Sequence, residues 1–258
     1  MPRPLGQHFL KPASVERLIH AIEPSAEDTV IEVGPGHGAL TLPLAGRVRR
    51  LVAVELDGRL AASLRERAPS NVEIVVGDAR RVDFASLAPP GCRVVGNLPY
   101  YVSSPLMRRF LDLRGHVKDL HVMLQEEVAR RIASPPGSKE YGILSVLYGL
   151  WAETAIVLRF PPGAFAPPPR VESAVLRVRF LPAPREEPGP PGALEALLRQ
   201  AFARRRRTLE NNLQDSYPNL KENLRLLNIA GSRRPETLSV VEFARLSATL
   251  KPPVLPGR

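Results

Sequence analysis

The stretch Thr29-Val30-Ile31-Glu32-Val33 runs straight into Gly34-Pro35-Gly36-His37-Gly38-Ala39, and the reading of that junction decides the architecture. Five residues of strand character end at glycines, which let the backbone turn tightly and pass close to a ligand. A helical pattern resumes after Ala39, so amides at its start become donors for an anionic group. Outward from this junction, strand-like runs recur as LVAVEL from Leu51, VEIVV from Val72, RVVG from Arg93 and LHVML from Leu120. Helical spacing fills the gaps, as at Leu60 and Leu64 and from Ser104 to Leu113. Strands alternating with helices predict parallel pairing with helices on both faces, a doubly wound α/β core.

Two further strand patterns, ETAIVLRF from Glu153 and SAVLRVRF from Ser173, flank a proline-rich loop and are expected as a hairpin added to the parallel sheet. The segment PAPREEPGPPG, Pro182 to Gly192, has the composition of a boundary. Beyond it, Leu194, Leu197, Leu198 and Phe202 repeat at helical spacing, as do Phe243, Leu246 and Leu250. The expectation is a catalytic domain over residues 1–182 and a small all-helical domain over 183–258.

The 258 residues, 44% hydrophobic and 24% charged, are ordinary for a folded chain that buries a sizeable core. A formal charge of +10, from 36 Lys and Arg against 26 Asp and Glu, favours a polyanion such as RNA or DNA, because guanidinium groups meet phosphate in a planar, two-pronged way. The single cysteine, Cys92, excludes a disulfide within the chain and permits a reducing compartment. No apolar run approaches the ~20 residues that span a bilayer, and the start MPRPLGQHFL lacks a signal-peptide core. A cytoplasmic protein without a membrane partner is expected. His20, His37, His116 and His121 show no metal-ligand spacing, so no metal is expected.

The glycine loop satisfies G-x-G-x-x-A, and Glu55 at the end of the second strand stands where a ribose-binding acid is expected, so a nicotinamide oxidoreductase competes at this point. Glu32, two residues before the first glycine, would be an unwelcome charge beside a pyrophosphate but suits a ligand with an amino group and a sulfonium. Asp78, after the third strand, adds a carboxylate at the same sheet edge that can accept from an adenine amino group. Three acids around the loop fit S-adenosylmethionine better than NAD.

The fourth strand delivers Asn97-Leu98-Pro99-Tyr100 to that edge, where ligands of open α/β sheets lie. An adenine amine is a poor nucleophile because its lone pair is delocalised into the ring. The Asn97 side-chain carbonyl and the Leu98 main-chain carbonyl can both accept its hydrogens, with Pro99 holding Leu98 extended. Tyr100 offers a flat face for a flipped base.

Taken together, GQHFL (6–10), EVGPGHGALT (32–41), VELD (54–57), GDA (77–79), NLPYYVSSP (97–105), LQEEVARRI (124–132), GSKEYGILSV (137–146), FAPPPRVESAV (165–175) and AFARRRRTLENNL (201–213) resemble the ribosomal RNA adenine dimethyltransferases, closest to the KsgA-type small-subunit branch. The resemblance covers nearly the whole chain. It implies a Rossmann-like S-adenosylmethionine-dependent methyltransferase with a small helical C-terminal domain. It further implies transfer of methyl groups to N6 of two adjacent adenines near the 3′ end of small-subunit rRNA during subunit assembly, with S-adenosylhomocysteine as by-product and a monomeric enzyme. By motif position, His8 and Leu10 would contact the cofactor, Gly34 its methionine end, Glu55 the ribose, Asp78 and Ala79 the adenine, and Asn97 the meeting point of cofactor and base. Phe165 matches the aromatic that closes over the base opposite Tyr100. The run Arg204, Arg205, Arg206 and Arg207 matches the family's basic helix, and phosphate contact is expected of it. Two alternatives stay open: an antibiotic-resistance adenine methylase of large-subunit rRNA, and an assembly factor that binds the subunit with little or no catalysis.

Overall fold

The protein is described here by a computed structural model that covers residues 8–251 apart from position 205. Two compact units share the chain, one of residues 1–130 and 153–180, the other of residues 131–152 and 181–258. The segment 131–152 therefore groups with the C-terminal helices, so the units are interleaved along the chain rather than divided at the proline-rich segment alone.

The first unit holds a seven-stranded sheet built from β2 (Thr29–Val33), β3 (Arg50–Glu55), β4 (Val72–Val76), β5 (Cys92–Asn97), β6 (Val117–Gln125), β7 (Ala152–Phe160) and β9 (Ser173–Phe180) in the order β4-β3-β2-β5-β6-β9-β7. The strands β4, β3, β2, β5 and β6 pair in parallel, and β9 returns antiparallel to β6. All five residues of β2 are buried, as a central strand covered on both faces requires. A separate two-stranded sheet pairs β1 (Phe9–Leu10) with β8 (Phe165–Ala166), which ties the N-terminal arm to the proline-rich loop. The sequence places Phe165 in a proline-rich loop and assigns no strand to Phe9–Leu10.

Helices finish the strand connections at points their sequences dictate. The first, α1 (Pro12–Ile22), starts on a proline, whose missing N–H costs nothing in the first turn, and buries Val15, Leu18, Ile19 and Ile22. The short α2 (Thr41–Ala45) follows the glycine loop. In α3 (Gly58–Arg65) the Asp57 carboxylate caps the start by accepting from the Arg59 and Leu60 amides at 2.8 and 3.4 Å. The chain continues through α4 (Phe84–Leu87), α5 (Ser103–Phe110) and α6 (Glu126–Ala133).

The second unit is helical, with α7 (Ile143–Trp151), α8 (Ala193–Ala201), α9 (Leu209–Leu213), α10 (Leu220–Leu226) and α11 (Val240–Thr249). Leu194, Leu197, Leu198 and Ala201 form the buried face of α8. A capping box starts α11: Ser239 Oγ accepts from the Glu242 amide at 3.1 Å, and Glu242 Oε2 accepts from the Ser239 amide at 2.7 Å. The expected basic helix is not one. Arg204, Arg206 and Arg207 lie exposed in the connection between α8 and α9, and Arg205 falls outside the described residues. Asn212 Nδ2 shapes that connection by donating to the carbonyls of Ala201 and Arg204 at 2.8 and 3.2 Å, and Thr208 caps the helix that follows.

Among the described residues, no helix is long and apolar enough to cross a membrane, and no three metal-binding side chains converge.

One close approach matters for everything downstream. A Cβ on Gly96 would lie 2.4 Å from the Val33 carbonyl oxygen, whereas a Cβ on Gly46 would meet nothing within 4 Å. We therefore expect Gly96→Ala to lower unfolding free energy by about 1–3 kcal/mol, measured by urea denaturation, and Gly46→Ala to stay within about 0.5 kcal/mol of the unaltered chain.

Candidate methyl-transfer site

The carboxyl ends of β2, β3, β4 and β5 converge on one cleft. Its lining includes His8, Gly34, Glu55, Asp78, Asn97 and Tyr100, which come from sequence positions far apart. Leu98, Pro99 and Ala79 also line it.

The glycine loop is shaped by left-handed backbone at Gly34 and Gly36, with φ of 75° and 55°. A Cβ on Gly36 would sit 2.9 Å from the Phe9 ring, because the arm folds over the loop and Phe9 packs on His37 with ring centres 4.6 Å apart. Glu55, at the end of β3, accepts from the Gly36 amide at 2.9 Å through Oε2 and from the Asp57 amide at 2.9 Å through Oε1. Its carboxylate is thereby held at the lip of the cleft.

Asn97 is oriented by the arm. Its Nδ2 donates to the His8 main-chain carbonyl at 2.8 Å, which commits the amide's donor side and turns Oδ1 the other way as an acceptor. The His8 ring is anchored in turn, donating from Nδ1 to the Pro167 carbonyl at 2.8 Å, and its centre lies 5.7 Å from that of Tyr100. The Leu98 amide is tied to the Met123 carbonyl at 3.1 Å, and Pro99 is extended at φ −58°, ψ 131°. Tyr100 Oη shares a 2.7 Å hydrogen bond with Ser173 Oγ at the start of β9, leaving the ring plane to the cleft. Burial raises the Tyr100 phenol, with Ser173 opposing, so it stays neutral at physiological pH.

Asp78 lies just beyond β4 and is gripped by its neighbour Arg80, with contacts of 3.0, 3.0 and 2.6 Å. The Arg80 side chain and amide hold the Asp78 carboxyl down to about 2, so it is ionised throughout the useful pH range. A carboxylate has about four acceptor sites, so this pairing leaves room for a ligand amine.

Two expected members stand elsewhere. Phe165 does not line the cleft: it is 1% exposed, packed edge-on against Phe160 with ring centres 6.5 Å apart, and belongs to the core. Pairing of β1 with β8 draws it inward, and a large apolar ring gains more from full burial than from a solvent-facing loop. Leu10 is likewise a buried core residue of β1, with His8 and Phe9 of the same arm facing the cleft instead.

Sequence reading missed Leu56, Arg80 and Tyr101, all of which line the cleft. Leu56 and Tyr101 are 47% and 57% exposed, and their only sequence signal is adjacency to Glu55 and Tyr100.

Glu32 is 2% exposed, and neither its Oε2 nor Thr41 Oγ1 finds a hydrogen-bond partner among the described residues. Burial pushes the Glu32 carboxyl up to about 7, with nearby Thr41 opposing and Glu55 adding to the rise. An unsatisfied buried acid under a glycine cradle fits a ligand that brings positive charge, as the amino and sulfonium groups of S-adenosylmethionine would.

The sign of the stability effect follows from the direction of that shift. Between the unfolded value near 4.5 and about 7 the folded chain retains a proton that the unfolded chain has lost, so stability falls as pH rises through this window. Glu32→Gln removes the penalty. At pH 8 we expect the variant to be more stable than the unaltered chain by up to ~3 kcal/mol, with the difference vanishing near pH 4.5, as read by denaturation at both pH values.

Known proteins are similar to this chain over most of its length. A ribosomal RNA small subunit methyltransferase A from Bordetella petrii is 44% identical over 247 residues, covering 95% of this chain and 93% of that protein. A protein of the same name from Chromobacterium violaceum is 42% identical over 252 residues, covering 94% and 92%. Among solved structures, a dimethyladenosine transferase from Plasmodium falciparum superposes with a TM-score of 0.77 at 23% identity, covering 93% of this chain and 96% of that one. The 23S rRNA methyltransferase ErmE superposes with a TM-score of 0.70 at 26% identity, covering 93% and 98%. Both share the Rossmann-like fold. The family described as ribosomal RNA adenine dimethylase matches residues 2–251, and the chain belongs to it.

Proposed function

We propose that this protein uses S-adenosylmethionine to dimethylate N6 of two adjacent adenines near the 3′ end of small-subunit rRNA, acting in the cytoplasm as a monomer on the assembling subunit. The observation that carries the reading is the bond from Asn97 Nδ2 to the His8 carbonyl, since it commits the donor side of an amide that lines the cleft and leaves Oδ1 to accept. Relatives at 42–44% identity named for the small subunit support the choice of RNA.

The donor, when bound, supplies a methyl group already activated by a sulfonium. Glu55 would hold ribose hydroxyls while keeping its two amide contacts, Asp78 and the Ala79 backbone would meet the adenine, and Gly34 with the neighbouring buried Glu32 would face the cationic end. On the acceptor side, Tyr100 stacks on the target base, a contact worth about 1–3 kcal/mol. Asn97 Oδ1 and the Leu98 carbonyl accept the two N6 hydrogens. Both contacts draw electron density towards the amine and strengthen as it becomes cationic, which is selective stabilisation of the transition state. The surplus proton then leaves to water, so no general base is needed. Exposed Arg204, Arg206 and Arg207, with Arg205 between them, would contact phosphates, in keeping with the net charge of +10.

The likeness to ErmE keeps a second reading, methylation of large-subunit rRNA, under test. Incubation with separated immature subunits and labelled donor, followed by mass spectrometry of the RNA, distinguishes them: two dimethyladenosines in small-subunit rRNA are expected, and label confined to the large subunit overturns the proposal. In the same assay Asn97→Ala should lose at least about a hundredfold in rate, with its melting temperature little changed. Near-normal turnover by that variant would sink the mechanism.

A further inference from the structure

We propose that Arg109 is a positioning residue for the methyl donor: its guanidinium fixes the loop that carries Asp78 and ties that loop to the helix that follows Asn97–Tyr100. The inference rests on the donor site described above and adds a residue that no motif of the sequence points to.

Arg109 lies near the end of α5, the helix that begins directly after the Asn97–Val102 segment. Leu106, Met107 and Phe110 form its buried side, and Leu106 also lines the cleft. From there Arg109 reaches back about thirty residues along the chain. Its Nη1 donates to the Ala79 carbonyl at 2.9 Å, and its Nη2 to the carbonyl of Val82. The guanidinium also stacks over the Phe84 ring, 5.3 Å from its centre, while Phe110 meets the same ring edge-on at 5.6 Å.

The loop from Gly77 to Asp83 is thus held at several points. Its entry is fixed by the Gly77 amide on the Glu55 carbonyl at 2.8 Å. Its turn is closed by the Arg81 and Val82 amides on the Asp78 carbonyl at 2.7 and 2.9 Å, and its exit by Asp83 capping α4 at the Ala85 amide. Between these, two carbonyls point at one side chain. A planar fork with several fixed donors can serve both at once while its face covers Phe84, whereas an ammonium is a point charge without a face. Arg80 grips the Asp78 carboxylate, and Arg109 sets the path of the backbone around it. Because Arg109 belongs to the helix launched by the target-base segment, the donor wall and the base wall of the cleft are mechanically joined.

Calorimetric titration with S-adenosylhomocysteine gives a readout independent of turnover. Arg109→Met, which keeps the apolar stem and loses both donors, should raise Kd about tenfold, the equivalent of one charge-assisted hydrogen bond. Arg109→Lys should recover part of that loss. The KM for donor should follow Kd, while kcat at saturating donor and the KM for RNA change less than twofold. Combined with Asp78→Asn, Arg109→Met should cost clearly less than the sum of the two single effects, because both act on one contact. Unaltered affinity in both Arg109 variants overturns the role of Arg109 alone, as does strict additivity with Asp78→Asn. Should Arg109→Met fail to fold, the Arg109→Lys titration and its cycle with Asp78→Asn decide the matter. Failure of the unaltered chain to bind S-adenosylhomocysteine overturns the donor-site reading itself, and this proposal with it.

Discussion

The site depends on how closely two parallel strands approach at their carboxyl ends. β2 and β5 pair from Val30 against Arg93 to Glu32 against Val95, and the next step brings Gly96 against the Val33 carbonyl so tightly that no side chain fits. One residue further, Gly34 comes near the Asn97 carbonyl, 3.6 Å from where its Cβ would be. The glycine loop and Asn97 are neighbours because both strands end there without bulk between them. A side chain at Gly96 would push the two strand ends apart, whereas Gly34 is required by its left-handed backbone, φ 75°.

Charge is handled differently at each of the acids around the cleft. Glu55 accepts from two backbone amides, and Asp78 is paired with Arg80, which holds its carboxyl down to about 2. Glu32 is buried with its Oε2 unpaired, which is costly unless the group is neutral or a cation arrives. At the opposite end of β5 a buried charge is treated in a third way. Arg93 meets Asp119 and Asp28 at 2.9 and 2.8 Å and donates to the Ile22 and Glu23 carbonyls, so its charge is paired within the protein and the end of α1 is joined to the sheet. A paired charge at one edge and a carboxyl with an unpaired oxygen at the other distinguish the two ends of the sheet.

The helical unit shows how a basic run can be presented without a helix. Asn212 and Thr208 hold the connection between α8 and α9, from which Arg204, Arg206 and Arg207 are exposed. An ordered turn loses less entropy on meeting a phosphate backbone than a free tail would.

Much of this was legible in the residues. Apolar runs separated by helical spacing specify the strands of the sheet, because buried strands need continuous apolar stretches, and every one of the seven is found where its run lies. The glycine loop, Glu55, Asp78 and the Asn97–Tyr100 segment are local features whose meaning follows from their place at strand ends. Other features were set by contacts across long stretches of chain, which no local pattern encodes. Pairing of β1 with β8 carried Phe165 into the core and brought the His8 carbonyl to Asn97. Arg80 and Arg109 look like any arginine on a polar stretch until the fold brings carboxylate and carbonyl partners to them. The sequence by itself determined which residues reach the sheet edge, since strand ends follow from periodicity. Only the tertiary structure decided which way each polar group points, since hydrogen-bond direction depends on partners that folding alone brings within 3 Å.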